Sequence, residues 1–169
     1  MKKLLALLLS VIILAAAGNT AFAAGKISES KAKSIALKDA GLKKSKVKGL
    51  EADYEDGKYE VEFTRKSNKA EYEFDISKTG RVLKKSVEYV YKHNSSKKKI
   101  GKEAARKKVS SFSGSKLATV KKGSCTYEYD DDDSEGVYEI SFKKGNYRYK
   151  YEVLAPSGKI IEWSKKYTK

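Results

Sequence analysis

The sequence predicts an α+β protein made of two tandem repeats, each one helix packed on an antiparallel β-sheet meander. Three observations carry this. A helix-period stripe closed by glycine occurs twice, alternating apolar patterns follow each stripe, and matching residues recur at near-constant spacing. Ile27, Ala32 and Gly41 return as Ile100, Ala105 and Gly114, 73 positions on. Gly57, Tyr59 and Phe63 return as Gly136, Tyr138 and Phe142 at a spacing of 79, and Gly80 returns as Gly158 at 78. Two small length changes in loops account for the drift, so an internal duplication is the simplest source of the pattern.

The first repeat opens with Ile27 before a Ser28 N-cap, with Ala32 placed to meet Ile27 as a hydrophobic staple. Ala32, Ile35, Ala36 and Ala40 keep helical spacing, and Gly41 supplies the left-handed C-terminal residue. Ala52 and Tyr54 then alternate up to an Asp56-Gly57 hairpin turn. Tyr59, Val61 and Phe63 share one strand face, Ser67-Asn68-Lys69 turns the chain, and Tyr72, Phe74 and Ile76 alternate back. Lys78-Thr79-Gly80 turns again, and Val82, Val87 and Tyr89 mark a last strand.

The second repeat follows the same order. Ile100 takes the staple position, Gly101 the cap, Ala105, Val109 and Phe112 the stripe, and Gly114 the close. Its strands carry Tyr127 and Tyr129, then Tyr138, Ile140 and Phe142, then Tyr147, Tyr149, Tyr151 and Val153, then Ile161, Trp163 and Tyr167. Pro156 falls in the last turn, where a missing N–H does no harm. Apolar and Lys/Glu-rich positions alternate, as in a sheet wet on one side. Ile35, Tyr59, Phe63, Tyr138, Phe142 and Trp163 are the expected core. The repeats span 27–89 and 100–167, and the charged stretch 90–99 between them reads as a linker.

Residues 1–23 read as a secretory signal peptide. Lys2 and Lys3 precede an apolar run from Leu4 to Ala17, and Ala21-Phe22-Ala23 is a small-x-small cleavage site. The run is too short for a spanning helix, which needs about 20 residues, and no second such run follows. The expected product is secreted, extracellular or cell-wall associated, with no transmembrane segment after processing.

The chain has 37 Lys and Arg against 22 Asp and Glu, a formal charge of +15 that becomes +13 without Lys2 and Lys3. Outside a cell that charge suits anionic partners such as wall polymers or an acidic protein, or simply a solvated surface. Arginine occurs only at 65, 81, 106 and 148, and dispersed lysine suits solubility better than bidentate anion recognition. Cys125 is the one cysteine, so no internal disulfide forms, and its alternating context marks a small buried or half-buried hydrophobe.

The first repeat reads Ile27-Ser28-x-x-x-Ala32-x-x-Ile35-Ala36-Leu37, then Gly41, then Gly57-Lys58-Tyr59-Glu60-Val61-Glu62-Phe63, then Tyr72-Glu73-Phe74-Asp75-Ile76 and Gly80-Arg81-Val82-Leu83. This closely resembles the PepSY domain across 27–89. The second repeat resembles it more loosely, through Val137-Tyr138-Glu139-Ile140-Ser141-Phe142 and Ser157-Gly158-Lys159-Ile160-Ile161. There Lys108 replaces Ile35, and an acidic loop is inserted before Gly136. The resemblance implies a PepSY/cystatin-like fold and a secreted bacterial module that binds a peptidase and restrains or assists it, inhibition being the leading expectation. It implies no catalytic residues and no cofactor. The alternative is a non-enzymatic cationic envelope protein that holds anionic cell-wall polymer.

The remaining chemical candidates resolve to bland readings. His93, the single histidine, sits in the linker, far from a rigid nucleophile or ligand set, and reads as solvated. Asp131, Asp133, Glu135 and Gly136 mimic part of an EF-hand loop, but the twelfth position is Phe142 and strands flank it. The run Asp130–Asp133 is therefore expected to be a solvated acidic hairpin, with a weak calcium contact outside that geometry left open. Tyr147-Arg148-Tyr149-Lys150-Tyr151 puts three tyrosines on one strand face, which reads as sheet core rather than a nucleic-acid stacking platform. No catalytic, cofactor or metal set is expected, and no nucleic-acid partner.

Overall fold

A computed structural model describes residues 25–91, 98–130 and 135–168. The expected signal peptide, His93 with its neighbours from 92 to 97, and Asp131 to Ser134 of the acidic loop lie outside the described residues.

Ser28 is extended, and its hydroxyl accepts the Lys31 N–H at 3.2 Å, which satisfies one orphan donor at the start of α1 (Glu29–Ala40). Gly41 closes the helix at φ 67°, and the N–H groups of Gly41 and Leu42 turn back to the carbonyls of Lys38 and Leu37. One 3-10 turn, Lys44–Lys46, leads into β1 (Val47–Glu55). Asp56 and Gly57 both take positive φ, 49° and 81°, the geometry a two-residue hairpin needs before β2 (Lys58–Arg65). β3 (Glu71–Ser77) and β4 (Val82–Glu88) complete the first half.

The second half repeats the order with two changes. Gly101 has no side chain to cap α2 (Lys102–Ser113), and its N–H donates to the Tyr138 hydroxyl at 3.1 Å. A short helix, α3 (Leu117–Lys121), follows where no second helix was expected. It places wholly buried Val120 in the second core. β5 (Ser124–Asp130), β6 (Glu135–Lys144), β7 (Tyr147–Leu154) and β8 (Ile160–Tyr167) then run as a meander.

The eight strands form one antiparallel sheet in the order β1-β2-β3-β4-β8-β7-β6-β5. The halves meet where β4 pairs with β8, Lys85 opposite Lys165, Ser86 opposite Ser164 and Val87 opposite Trp163. At the spacing of 78, Ser86 corresponds to Ser164, Lys85 to Trp163 and Val87 to Lys165. Ser86 therefore faces its own counterpart, Lys85 faces the counterpart of Val87, and Val87 faces the counterpart of Lys85. The halves are related by a local twofold normal to the sheet at the Ser86–Ser164 pair, as in an isologous dimer interface.

Two cores lie on one sheet face. Ala32 and Ala36 of α1 are buried with Tyr59, Val61, Phe63, Phe74 and Ile76. Ala105 and Val109 of α2 are buried with Tyr138, Ile140, Phe142 and Tyr151. Two residues expected in the core, Ile35 and Trp163, are only half-buried. Trp163 stands on a central strand and packs against both clusters. Ile35 lies over Gly80, its Cδ1 3.1 Å from where a Cβ would stand. In the second half the aliphatic stem of Lys108 covers Gly158 the same way, which is how a lysine replaces an isoleucine there.

Candidate functional site

α1 packs on β1, β2 and β3, and α2 on β5 and β6, so a saddle over the central strands β4 and β8 opens between the helices. Its floor includes Lys85, which is 6% exposed. The Lys85 ammonium donates to Asp39 Oδ1 at 3.1 Å and to the Asp39 carbonyl at 3.2 Å. It also lies 5.0 Å from the Trp163 ring centre and 5.3 Å from that of Phe74. Lys165, opposite it on β8, donates to Asp39 Oδ2 at 2.8 Å. Burial pulls the Lys85 pKa below its usual value, against the opposing pull of Asp39. Burial works to raise the Asp39 carboxyl, but the Lys165 hydrogen bond and the two nearby cations outweigh it, so it is held below the usual range. One carboxylate thus holds two lysines across the seam.

At the spacing of 73, Asp39 corresponds to Phe112. Phe112 meets Tyr89, Tyr151 and Trp163 edge-on, with ring centres 6.1–6.5 Å apart, yet remains 48% exposed. Burial pushes the Tyr151 phenol up to about 12, so it stays protonated. Beside Phe112 an open cleft of about 510 Å³ runs between Tyr89 and Ile160, rimmed by Lys108 and Lys159. One side of the saddle is therefore ionic and closed, the other aromatic and open.

Among the described residues no helix covers the opposite sheet face, which is striped by charge. Cross-strand pairing sets Glu71, Glu88, Glu162, Glu152 and Glu139 directly opposite one another in one row across β3, β4, β8, β7 and β6. Lys150 bridges Glu139 and Glu152 at 2.9 and 3.3 Å. The Glu162 carboxyl is raised, first by burial and then by Glu152 and Glu88. On the other side of the Ser86–Ser164 pair, Lys84, Lys166, Arg148 and Lys143 form a cationic row on β4, β8, β7 and β6. The rows are four residues apart along a strand, about 13 Å.

Cys125 is half-buried on β5, and burial raises its thiol, the opposite of an activated nucleophile. Tyr151 is buried, whereas Tyr147 and Tyr149 are half-buried towards the saddle, so only part of that tyrosine strip is core. Among the described residues no three His, Cys, Asp or Glu side chains are grouped to hold a metal ion. Among them, too, no helix is long and apolar enough to cross a membrane. The Asp39 contacts and the glutamate row escaped sequence reasoning. Their residues sat at legible helix and strand positions, but nothing local showed which strands pair at the seam.

Fold and surfaces define an internally duplicated α+β sheet protein with two unlike faces. Its sequence matches the family described as "Peptidase propeptide and YPEB domain" over 26–85 and again over 99–163. The chain belongs to this PepSY family. It is 45% identical over 67 residues to the "Uncharacterized protein Spy1430" of Streptococcus pyogenes serotype M6. That match covers 37% of this chain and about half, 51%, of the relative's length. A DUF2874 family protein of Bacteroides uniformis is similar over 80% of this chain and 87% of its own, at 9% identity and a TM-score of 0.32. A protein of Bacteroides eggerthii described as periplasmic is similar over 79% and 86%, at 12% identity and a TM-score of 0.27.

Proposed function

We propose that this chain is a non-enzymatic module, exported through residues 1–23, that binds a peptidase outside the cytoplasm and restrains it. The observation that carries the reading is membership of a family described by peptidase propeptides, with matches in both halves of the chain. The unit that acts is the pair of repeats, 27–89 and 100–167, joined through 90–99. The aromatic side of the saddle supports the reading. An exposed ring backed by packed aromatics and rimmed by lysines has the composition of a binding hot spot.

The test is capture of secreted peptidases on the immobilised chain from Ala24 onward, beside retention on isolated cell walls across salt. Capture of one peptidase, weakened ~10–30-fold by Phe112→Asp, is the expected result, since hot-spot truncations cost that much. Wall retention lost at about 0.5 M salt, where screening is nearly complete, with no peptidase captured would replace the reading with the cationic wall-polymer alternative.

A further inference from the structure

A row of like charges placed directly opposite one another on adjacent strands is destabilising. Five glutamates in line across five strands, with Lys150 bridging Glu139 and Glu152, still leave Glu71, Glu88 and Glu162 facing like charge, an arrangement the isolated fold does not favour. The cationic row Lys84–Lys166–Arg148–Lys143 lies parallel to it, with the Ser86–Ser164 pair midway between. We propose that the charge-striped sheet face is the interface with a second copy of this chain, the glutamate row of each copy lying on the cationic row of the other.

The symmetry selects this geometry. A twofold axis in the plane of the face and parallel to the strands would lay each row on itself and bring like charges together. An axis along the Ser86–Ser164 direction, perpendicular to the strands, exchanges the two rows and matches opposite charges on the four strands that carry both, β4, β8, β7 and β6. On β3 it sets Glu71 on Asp75, and level with the axis Glu73 and Glu62 meet their own copies. That four-strand patch is self-complementary, as an isologous interface must be. The strands of the copies then lie aligned, the usual way two twisted sheets stack. Four strands about 4.8 Å apart and about 20 Å long give a charge-matched patch of roughly 400 Å². That is about half the roughly 800 Å² per partner of a standard interface, the size of a weak contact. Each copy carries a large positive net charge, and the contact is made of charged side chains. The dimer is therefore weak and salt-sensitive. Both saddles face outward in it, so it would present two copies of the peptidase-binding surface while resting on none of that surface's residues.

Sedimentation of the chain from Ala24 onward tests this without any variant. Reversible dimers at micromolar to millimolar concentration in dilute buffer, dissociating by about 0.5 M salt, are expected. A monomer throughout that range overturns the proposal. Two charge-swap variants then locate the interface, Glu88→Lys with Glu162→Lys on one row and Lys84→Glu with Lys166→Glu on the other. Each alone is expected to be monomeric. Mixed in equal amounts they are expected to form a heterodimer, because each altered row now meets an oppositely altered one. Dimers that survive either swap, or folded variants that fail to pair when mixed, overturn it.

Discussion

Lys85 points into a core because of its strand position. It lies opposite Phe74 on β3 and beside the Trp163 ring, and Asp39 is the group that lets it stay charged there. Removing the carboxylate leaves two lysines facing each other across the seam. Asp39→Ala should cost roughly 2–3 kcal/mol in urea unfolding, less than a fully buried pair because the Asp39 side chain keeps some exposure. Lys85→Met fills the same space without a charge and leaves Asp39 paired with Lys165, so it should be close to neutral. The lowered folded pKa of Asp39 means its contribution is present above the unfolded value of 3.8 and is lost as pH falls through the folded value. The stability difference between wild type and Asp39→Ala should therefore hold at pH 7 and shrink below pH 3.8. Cys125→Ser and His93→Ala should change peptidase regulation by less than about twofold, since neither fits a catalytic constellation. Ser28, Gly41 and Gly57 were legible as cap, helix end and turn because each acts within a few residues. Asp39 was not, because its partners lie 46 and 126 positions away.

Strand alternation correctly assigned the core faces of β2, β3 and β6, where Tyr59, Phe63, Phe74, Tyr138 and Phe142 are buried. It could not give the register between strands. The register shifts between Asp75 and Ile76 and again between Glu152 and Val153, so cross-strand partners near the seam cannot be counted from the turns. The glutamate row is a product of that register, and within it burial first, then Glu152 and Glu88, raise the Glu162 carboxyl. A raised folded pKa means the ionised carboxylate costs stability at neutral pH, and the cost is relieved as pH falls through the folded value towards 4.5. Glu162→Gln should thus stabilise the monomer by roughly 0.5–1 kcal/mol at pH 7, the scale of a cross-strand like-charge contact. The gain should vanish below pH 4.5. Urea midpoints compared at pH 7 and pH 4, in salt that keeps the protein monomeric, would check both magnitude and direction. A gain that persists at pH 4 would mean the effect is packing rather than charge.

The molecule is two copies of one unit fused through a continuous sheet, and the duplication was legible because loop changes left the helix and strand spacings nearly intact. The fusion was not legible. β4 carries Lys84, Lys85 and Ser86 where a central strand is normally apolar, so it reads as an edge. If the seam holds the halves together, a protease site inserted between residues 92 and 97 should leave the cut chain eluting as one species at its uncut size. Trp163, which touches both cores, should be the residue the seam depends on most. Trp163→Ala should cost about 2–4 kcal/mol and let the cut halves separate. The central claim is that this fused pair binds a peptidase and restrains it. The most direct measurement is the rate of peptide hydrolysis by a secreted thermolysin-type metallopeptidase as the chain from Ala24 onward is titrated in. The account predicts a saturable fall in rate at micromolar concentration, tolerant of salt and weakened by Phe112→Asp. Unchanged hydrolysis across a panel of secreted peptidases, with no complex detected by size-exclusion chromatography, would contradict it.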